Sequence, residues 1–148
     1  MLTSNHRLCM ISAVLCLSGC ANNGVFSQPQ VESLSDYSNV YLIGTFNWFE
    51  AVETFRFVPK GNNLYVASAQ LIADGQPYDF KVSDPKWSES TNCGRFLSEQ
   101  VIEINEKVTL YCAADSGTIK FTPPTTAVFT FSLDVSINKT PKLIITQR

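Results

Sequence analysis

From Val40 to the C-terminus the chain falls into short runs that alternate apolar and polar residues, cut by turn residues. No stretch sustains a 3.6-residue period, so an apolar helical stripe is not available to build a core. Val40-Tyr41-Leu42-Ile43 is the first run, rich in β-branched and aromatic types. Thr54-Phe55-Arg56-Phe57-Val58 alternates and stops at Pro59. Leu64 to Leu71 alternates between the turn signals Gly61-Asn62-Asn63 and Ala73-Asp74-Gly75-Gln76-Pro77. Tyr78, Phe80 and Val82 share one face of the next run. Val101–Ile104, Val108–Cys112, Gly117–Phe121, Ala127–Leu133 and Lys142–Ile145 follow, and Pro123-Pro124 marks a loop. About nine short strands with turns roughly every ten residues predict an all-β fold, an immunoglobulin-like β-sandwich. The domain is expected to span residues 38–148.

The N-terminus reads differently. Arg7 precedes an apolar stretch from Met10 to Leu17, and Leu17-Ser18-Gly19-Cys20 closes it. A charged start, an apolar centre and small residues before a cut make a secretory signal over residues 1–19. The run with Leu three places before Cys20 resembles a bacterial lipobox. That resemblance implies diacylglycerol on the Cys20 sulfur, and several acyl chains anchor a protein where one does not. Ala21, rather than Asp, after the cysteine implies an outer-membrane lipoprotein facing the periplasm or the cell surface. Residues 20–37 are polar, small and broken by Gly24 and Pro29, which predicts a flexible tether. Nothing after Leu17 approaches the ~20 apolar residues of a membrane span, so the membrane partner would be reached through lipid.

Composition then excludes several kinds of chemistry. The formal net charge is −2, which offers no basic stripe for a nucleic-acid partner. The single histidine, His6, leaves with the signal. No imidazole then remains for general acid–base work, a nucleophilic triad or a His-bound metal. The acids Glu50, Glu53, Asp74, Asp79, Asp84 and Glu89 are scattered singly, without a declared catalytic pair. No catalytic residue, metal site or cofactor is expected. Of five cysteines, Cys9 and Cys16 lie in the signal and Cys20 is the lipid acceptor. Cys93 and Cys112 are left, and an oxidising compartment predicts a disulfide between them.

Two aromatic clusters fall outside the strand alternation. Phe46-Asn47-Trp48-Phe49 follows the first strand, and Trp87 sits in the polar loop Asp84-Pro85-Lys86-Trp87-Ser88. Two roles fit such rings. They cap the open end of a sandwich, or they stack on the C–H face of a pyranose while neighbouring polar groups bond its hydroxyls. Asn47, Lys81 and Asn92 are polar groups of that kind.

Val40-Tyr41-Leu42-Ile43-Gly44-Thr45-Phe46-Asn47-Trp48 resembles the opening of the early-set immunoglobulin-like modules that accompany α-glucan enzymes. The family 48 glycogen-binding modules and the N-terminal modules of pullulanases are examples. Tyr78-Asp79-Phe80-Lys81-Val82, then Trp87-Ser88 and Asn92-Cys93-Gly94, resembles a second stretch of the pullulanase type. The resemblance covers residues 40–95 and implies a non-catalytic module for α-1,4-linked glucans, with two tryptophans and a lysine at the sugar. Trp87 and Lys81 match that motif directly. Trp48 stands one place early and Phe49 takes the matching position, so the ligand-binding set comprises Trp48, Phe49, Trp87, Lys81, Asn47 and Asn92. Those modules normally precede a catalytic barrel, and none is expected here. The alternative is a structural or assembly lipoprotein whose sandwich edge holds another envelope protein.

Overall fold

The computed structural model describes residues 37–96, 101–136 and 140–148. The expected signal, Cys20 and nearly all of the tether lie outside the described residues. Tyr37, the tether's last residue in the sequence reading, is buried in the core, its ring 6.2 Å from that of Tyr65.

The chain forms the all-β sandwich that the alternation predicts. Among the described residues ten strands run in order: β1 (Tyr41–Gly44), β2 (Val58–Pro59), β3 (Leu64–Leu71), β4 (Tyr78–Ser83), β5 (Cys93–Gly94), β6 (Lys107–Thr109), β7 (Tyr111–Cys112), β8 (Ile119–Phe121), β9 (Ala127–Asp134) and β10 (Lys142–Gln147). One sheet has the order β1-β4-β5-β7, with β8 also pairing β4; the other is β2-β3-β9-β10-β6. The named strand pairs are antiparallel. The inward residues of the two sheets meet in a single core. Leu42, Phe80, Val82, Ile119 and Phe121 come from the first sheet, and Leu71, Phe129, Phe131, Leu133, Leu143 and Ile145 from the second. Edge-to-face ring pairs cross the gap, Phe80 with Phe131 at 5.3 Å and Phe121 with Phe129 at 5.2 Å. Such pairs add about 0.5–1.5 kcal/mol each beyond the area they bury.

Two predicted strands are really crossings between the sheets. Val108–Cys112 reads as one run but divides at Leu110. Lys107–Thr109 pairs β10 in one sheet, and Tyr111–Cys112 pairs β5 in the other. Thr54–Val58 does the same at the opposite edge. Glu53–Phe55 is a 3₁₀ turn, Arg56 bridges Tyr41 of β1, and Val58 pairs Val66 of β3. The Phe57 N–H donates to the Val40 carbonyl at 2.9 Å. Val101–Ile104 forms no strand; Val101 makes a lone parallel bridge to Lys120. Ile102 is nevertheless buried, which explains the apolar period there without a ladder.

The predicted disulfide is present. Cys93 and Cys112 stand directly opposite in the β5–β7 register, and their sulfurs are bonded.

Candidate functional site

The outer face of the first sheet carries one continuous row. Ile43 pairs Lys81, and Gly94 pairs Tyr111. Val82 pairs Cys93, which places Lys81 opposite Gly94. Leu42, Val82 and Cys93 point into the core, so the pleat turns Ile43, Lys81, Gly94 and Tyr111 outward. Ile43 and Gly94 are buried even so, and Lys81 is only 7% exposed. Loops therefore cover part of this face.

Gly94 has a backbone reason. A Cβ there would lie 1.9 Å from the Gly117 carbonyl oxygen. Arg95 and Gly117 exchange both backbone hydrogen bonds, N–H of Arg95 to Gly117 at 3.0 Å and the reverse at 2.7 Å. The turn before Gly117 thus lies against β5, and it gives Lys81 a partner: the ammonium donates to the Ser116 carbonyl. Burial pushes the Lys81 ammonium below the ordinary lysine range, and the nearby Asp115 carboxylate pulls it part of the way back.

Above Lys81 sits Trp87, with Nζ 5.7 Å from the ring centroid. This is cation–π range, worth about 0.5–1 kcal/mol at an exposed site. Trp87 remains 40% exposed. Its loop is built on Asp84, whose side chain accepts from the N–H groups of Lys86 and Ser88 at 3.1 and 2.9 Å, and from the Ser88 hydroxyl at 2.7 Å. The Trp87 N–H donates to the Asp84 carbonyl at 3.2 Å. Asn92 closes the loop. It is buried, and its amide donates to the Ala113 carbonyl at 2.9 Å.

Trp48 occupies a separate turn. Asn47 is buried and holds that turn: its Oδ1 accepts from the Gly44 N–H at 2.7 Å, and its Nδ2 donates to the Leu42 carbonyl at 2.9 Å. Both groups are spent on the chain's own backbone. The Glu50 N–H donates to the Asn47 carbonyl at 3.0 Å, and the two residues between, Trp48 and Phe49, have φ of 56° and 57°. Those signs belong to a type I′ turn, which normally takes Asn or Gly at both places. Trp48 is 87% exposed, and among the described residues no side-chain hydrogen bond or ring contact holds it.

Trp87 shares the left-handed backbone, with φ of 56°. Both tryptophans of the chain therefore sit where an L-residue costs on the order of 1–2 kcal/mol. Among the described residues, the other positive-φ residues besides glycine are Phe49 and three asparagines, Asn62, Asn63 and Asn105; asparagine tolerates this region.

The structure thus brings Trp87 to Lys81, with Asn92 at the foot of the same loop, and sets Trp48 beside Phe49. The two groups leave opposite ends of the β1–β4 pair. Trp48 follows Gly44, which pairs Phe80, whereas Trp87 follows Ser83, which pairs Tyr41. Phe96, Tyr111 and Asp115 lie near the same outer face and escaped the sequence reading. A signal for Tyr111 was present: an inward Cys112 turns its neighbour outward.

The fold is similar to that of AmyP-SBD. That structure, described as "Ligand induced structure of AmyP-SBD", superposes with a TM-score of 0.55 at 14% identity, covering 98% of this chain and 96% of the other. At that identity the likeness speaks for the architecture. No protein-family model matches the chain, and no curated protein matches it. Among the described residues no group of three or more His, Cys, Asp or Glu is placed to hold a metal, and no helix is long and apolar enough to cross a membrane.

Proposed function

We propose that this domain is a non-catalytic carbohydrate-binding module for α-glucan chains, presented on a lipidated tether at the bacterial outer membrane. One observation carries the reading. Both tryptophans are exposed on left-handed backbone, a conformation that costs stability and returns no packing at Trp48. Strain of this kind persists where the surrounding structure imposes it, and it gathers at binding sites. Capping the sandwich accounts poorly for a ring as open as that of Trp48. Stacking on a sugar face accounts for it well, since an indole offers a broad, stiff apolar surface with little entropy to lose. The fold shared with AmyP-SBD, a starch-binding domain, supports the same class of ligand.

In this reading Trp87 and Trp48 are the stacking rings and Phe49 flanks the second. Lys81 orients Trp87, while Asn47 and Asn92 hold the loops. Affinity electrophoresis of the purified protein through gels containing amylose or glycogen tests it. Retardation is expected for the natural protein and is expected to fall sharply in Trp87→Ala and Trp48→Ala, with melting temperatures little changed. Unretarded migration of the natural protein in both gels would sink the reading. The anchor is tested separately: Cys20→Ala is expected to move the protein from the membrane to the soluble fraction.

A further inference from the structure

Beyond Trp87, the outer face continues toward the β7 edge. The Tyr111 hydroxyl donates to Asp115 Oδ1 at 3.1 Å. Asp115 adjoins Ser116, whose carbonyl receives the Lys81 ammonium, and it lies close enough for its charge to act on Lys81. On the other side of Tyr111 stands Phe96, with ring centroids 5.2 Å apart and planes at 87°. Phe96 is 74% exposed. Trp87, Lys81, Asp115, Tyr111 and Phe96 therefore form an unbroken strip, each member joined to the next by a named contact or by the backbone of residues 115–116.

Among the described residues Phe96 packs on Tyr111 rather than on the buried cluster. The edge-on contact sets the two ring planes nearly perpendicular, so a face of Phe96 is turned outward beside Tyr111. Polar groups stand between the two aromatic ends, with the Asp115 carboxylate as an acceptor for hydroxyls. Tyr111 lies two strands from Lys81, which at the usual spacing is roughly 10 Å. Rings at both ends and acceptors between them suit a chain of linked sugars, whose apolar faces and hydroxyls recur at intervals. A single sugar would not reach both ends.

The geometry points to Phe96 and Tyr111 as a second sugar subsite that extends the Trp87 site along the first sheet, so that the domain reads the length of an oligosaccharide. This rests on the carbohydrate reading above and adds to it where the chain runs and what it gains by being long.

Titration calorimetry with maltotriose and maltoheptaose separates the two claims. The natural protein is expected to bind the longer sugar roughly tenfold more tightly. Trp87→Ala is expected to weaken both, while Phe96→Ala is expected to remove most of the gain with length and leave maltotriose unchanged. Phe96→Trp keeps a ring and is expected to keep the gain. Binding with an undiminished length gain in Phe96→Ala would overturn the subsite and leave the carbohydrate reading standing. Equal weakening of both sugars together with a lowered melting temperature would make Phe96 a structural residue, and also overturn it. Failure of the natural protein to bind either sugar would overturn both claims.

Discussion

The Lys81 ammonium lies 5.7 Å from the centre of the Trp87 ring and also donates to the Ser116 carbonyl. One cation thereby ties the tryptophan loop to the turn before β8. Lys81→Met keeps the apolar stem and removes the charge. It leaves a carbonyl without its donor and a ring without its cation, so a loss of about 1–3 kcal/mol in a urea titration is expected. Trp87 should also become more accessible to a collisional quencher of tryptophan fluorescence.

Trp48 offers the reverse case. Its ring is open to solvent and its backbone is left-handed. Trp48→Asn places a residue that tolerates this conformation and gives up no packing. The variant is expected to be more stable by about 0.5–1 kcal/mol and to bind glucan less well. A less stable variant would mean that the ring is covered in solution.

Gly94→Ala is expected to be damaging despite its small size. The added carbon would meet the Gly117 carbonyl oxygen, a backbone atom, at 1.9 Å. Neither side has a flexible end to move aside. Overpacking of this sort costs about 1–3 kcal/mol, readable as a lowered melting temperature, and the turn carrying Asp115 and Ser116 should shift.

Acid should loosen the Trp87 loop. Burial works against the Asp84 charge, but the Ser88 N–H and hydroxyl, the Lys86 N–H and the Thr91 hydroxyl outweigh it and hold the carboxyl below its usual range. The unfolded chain then binds a proton more readily than the folded one. The stabilisation is full above the unfolded value of about 4 and is lost as pH falls through the lower folded value. Asp134, hydrogen-bonded by Ser136 and close to Lys107, contributes in the same sense. Asp84→Asn is expected to flatten the decline in stability below about pH 4, measured as midpoints of denaturant curves between neutral and acid pH.

Removing the disulfide tests how far the core stands alone. Cys93 and Cys112 are 19 residues apart, and a closed loop of that length is worth about 3 kcal/mol in the chain-entropy model. The double substitution to serine should show that loss in melting experiments, with a cooperative transition retained because the phenylalanine core is untouched.

The sandwich was legible because its strands face a core on one side only, which writes a period of two into the chain. Leu64–Leu71 and Ala127–Leu133 show this best, and the structure pairs them along their whole length. The crossings were not legible for a related reason. Val108, Leu110 and Cys112 all face the same core, whichever sheet holds the backbone. The alternation therefore continues unbroken while the hydrogen-bond partners change. At the site, the sequence pointed to Trp87 and Lys81 but not to the burial of Lys81, because a lysine in a strand ordinarily reads as solvated. The left-handed tryptophans had no signature either, since the usual marks of that backbone are Gly and Asn. Phe96 was missed because its partner Tyr111 is distant in sequence and meets it only after β5 and β7 pair.

The two crossings also have a mechanical meaning. At one margin the chain passes from Arg56 to Val58, at the other from Thr109 to Tyr111, and each passage is covalent. The layers are laced on both sides rather than held by grease alone. Tension applied to one layer is handed to the other through peptide bonds, so slippage between the layers would require tearing hydrogen-bonded seams at both margins together.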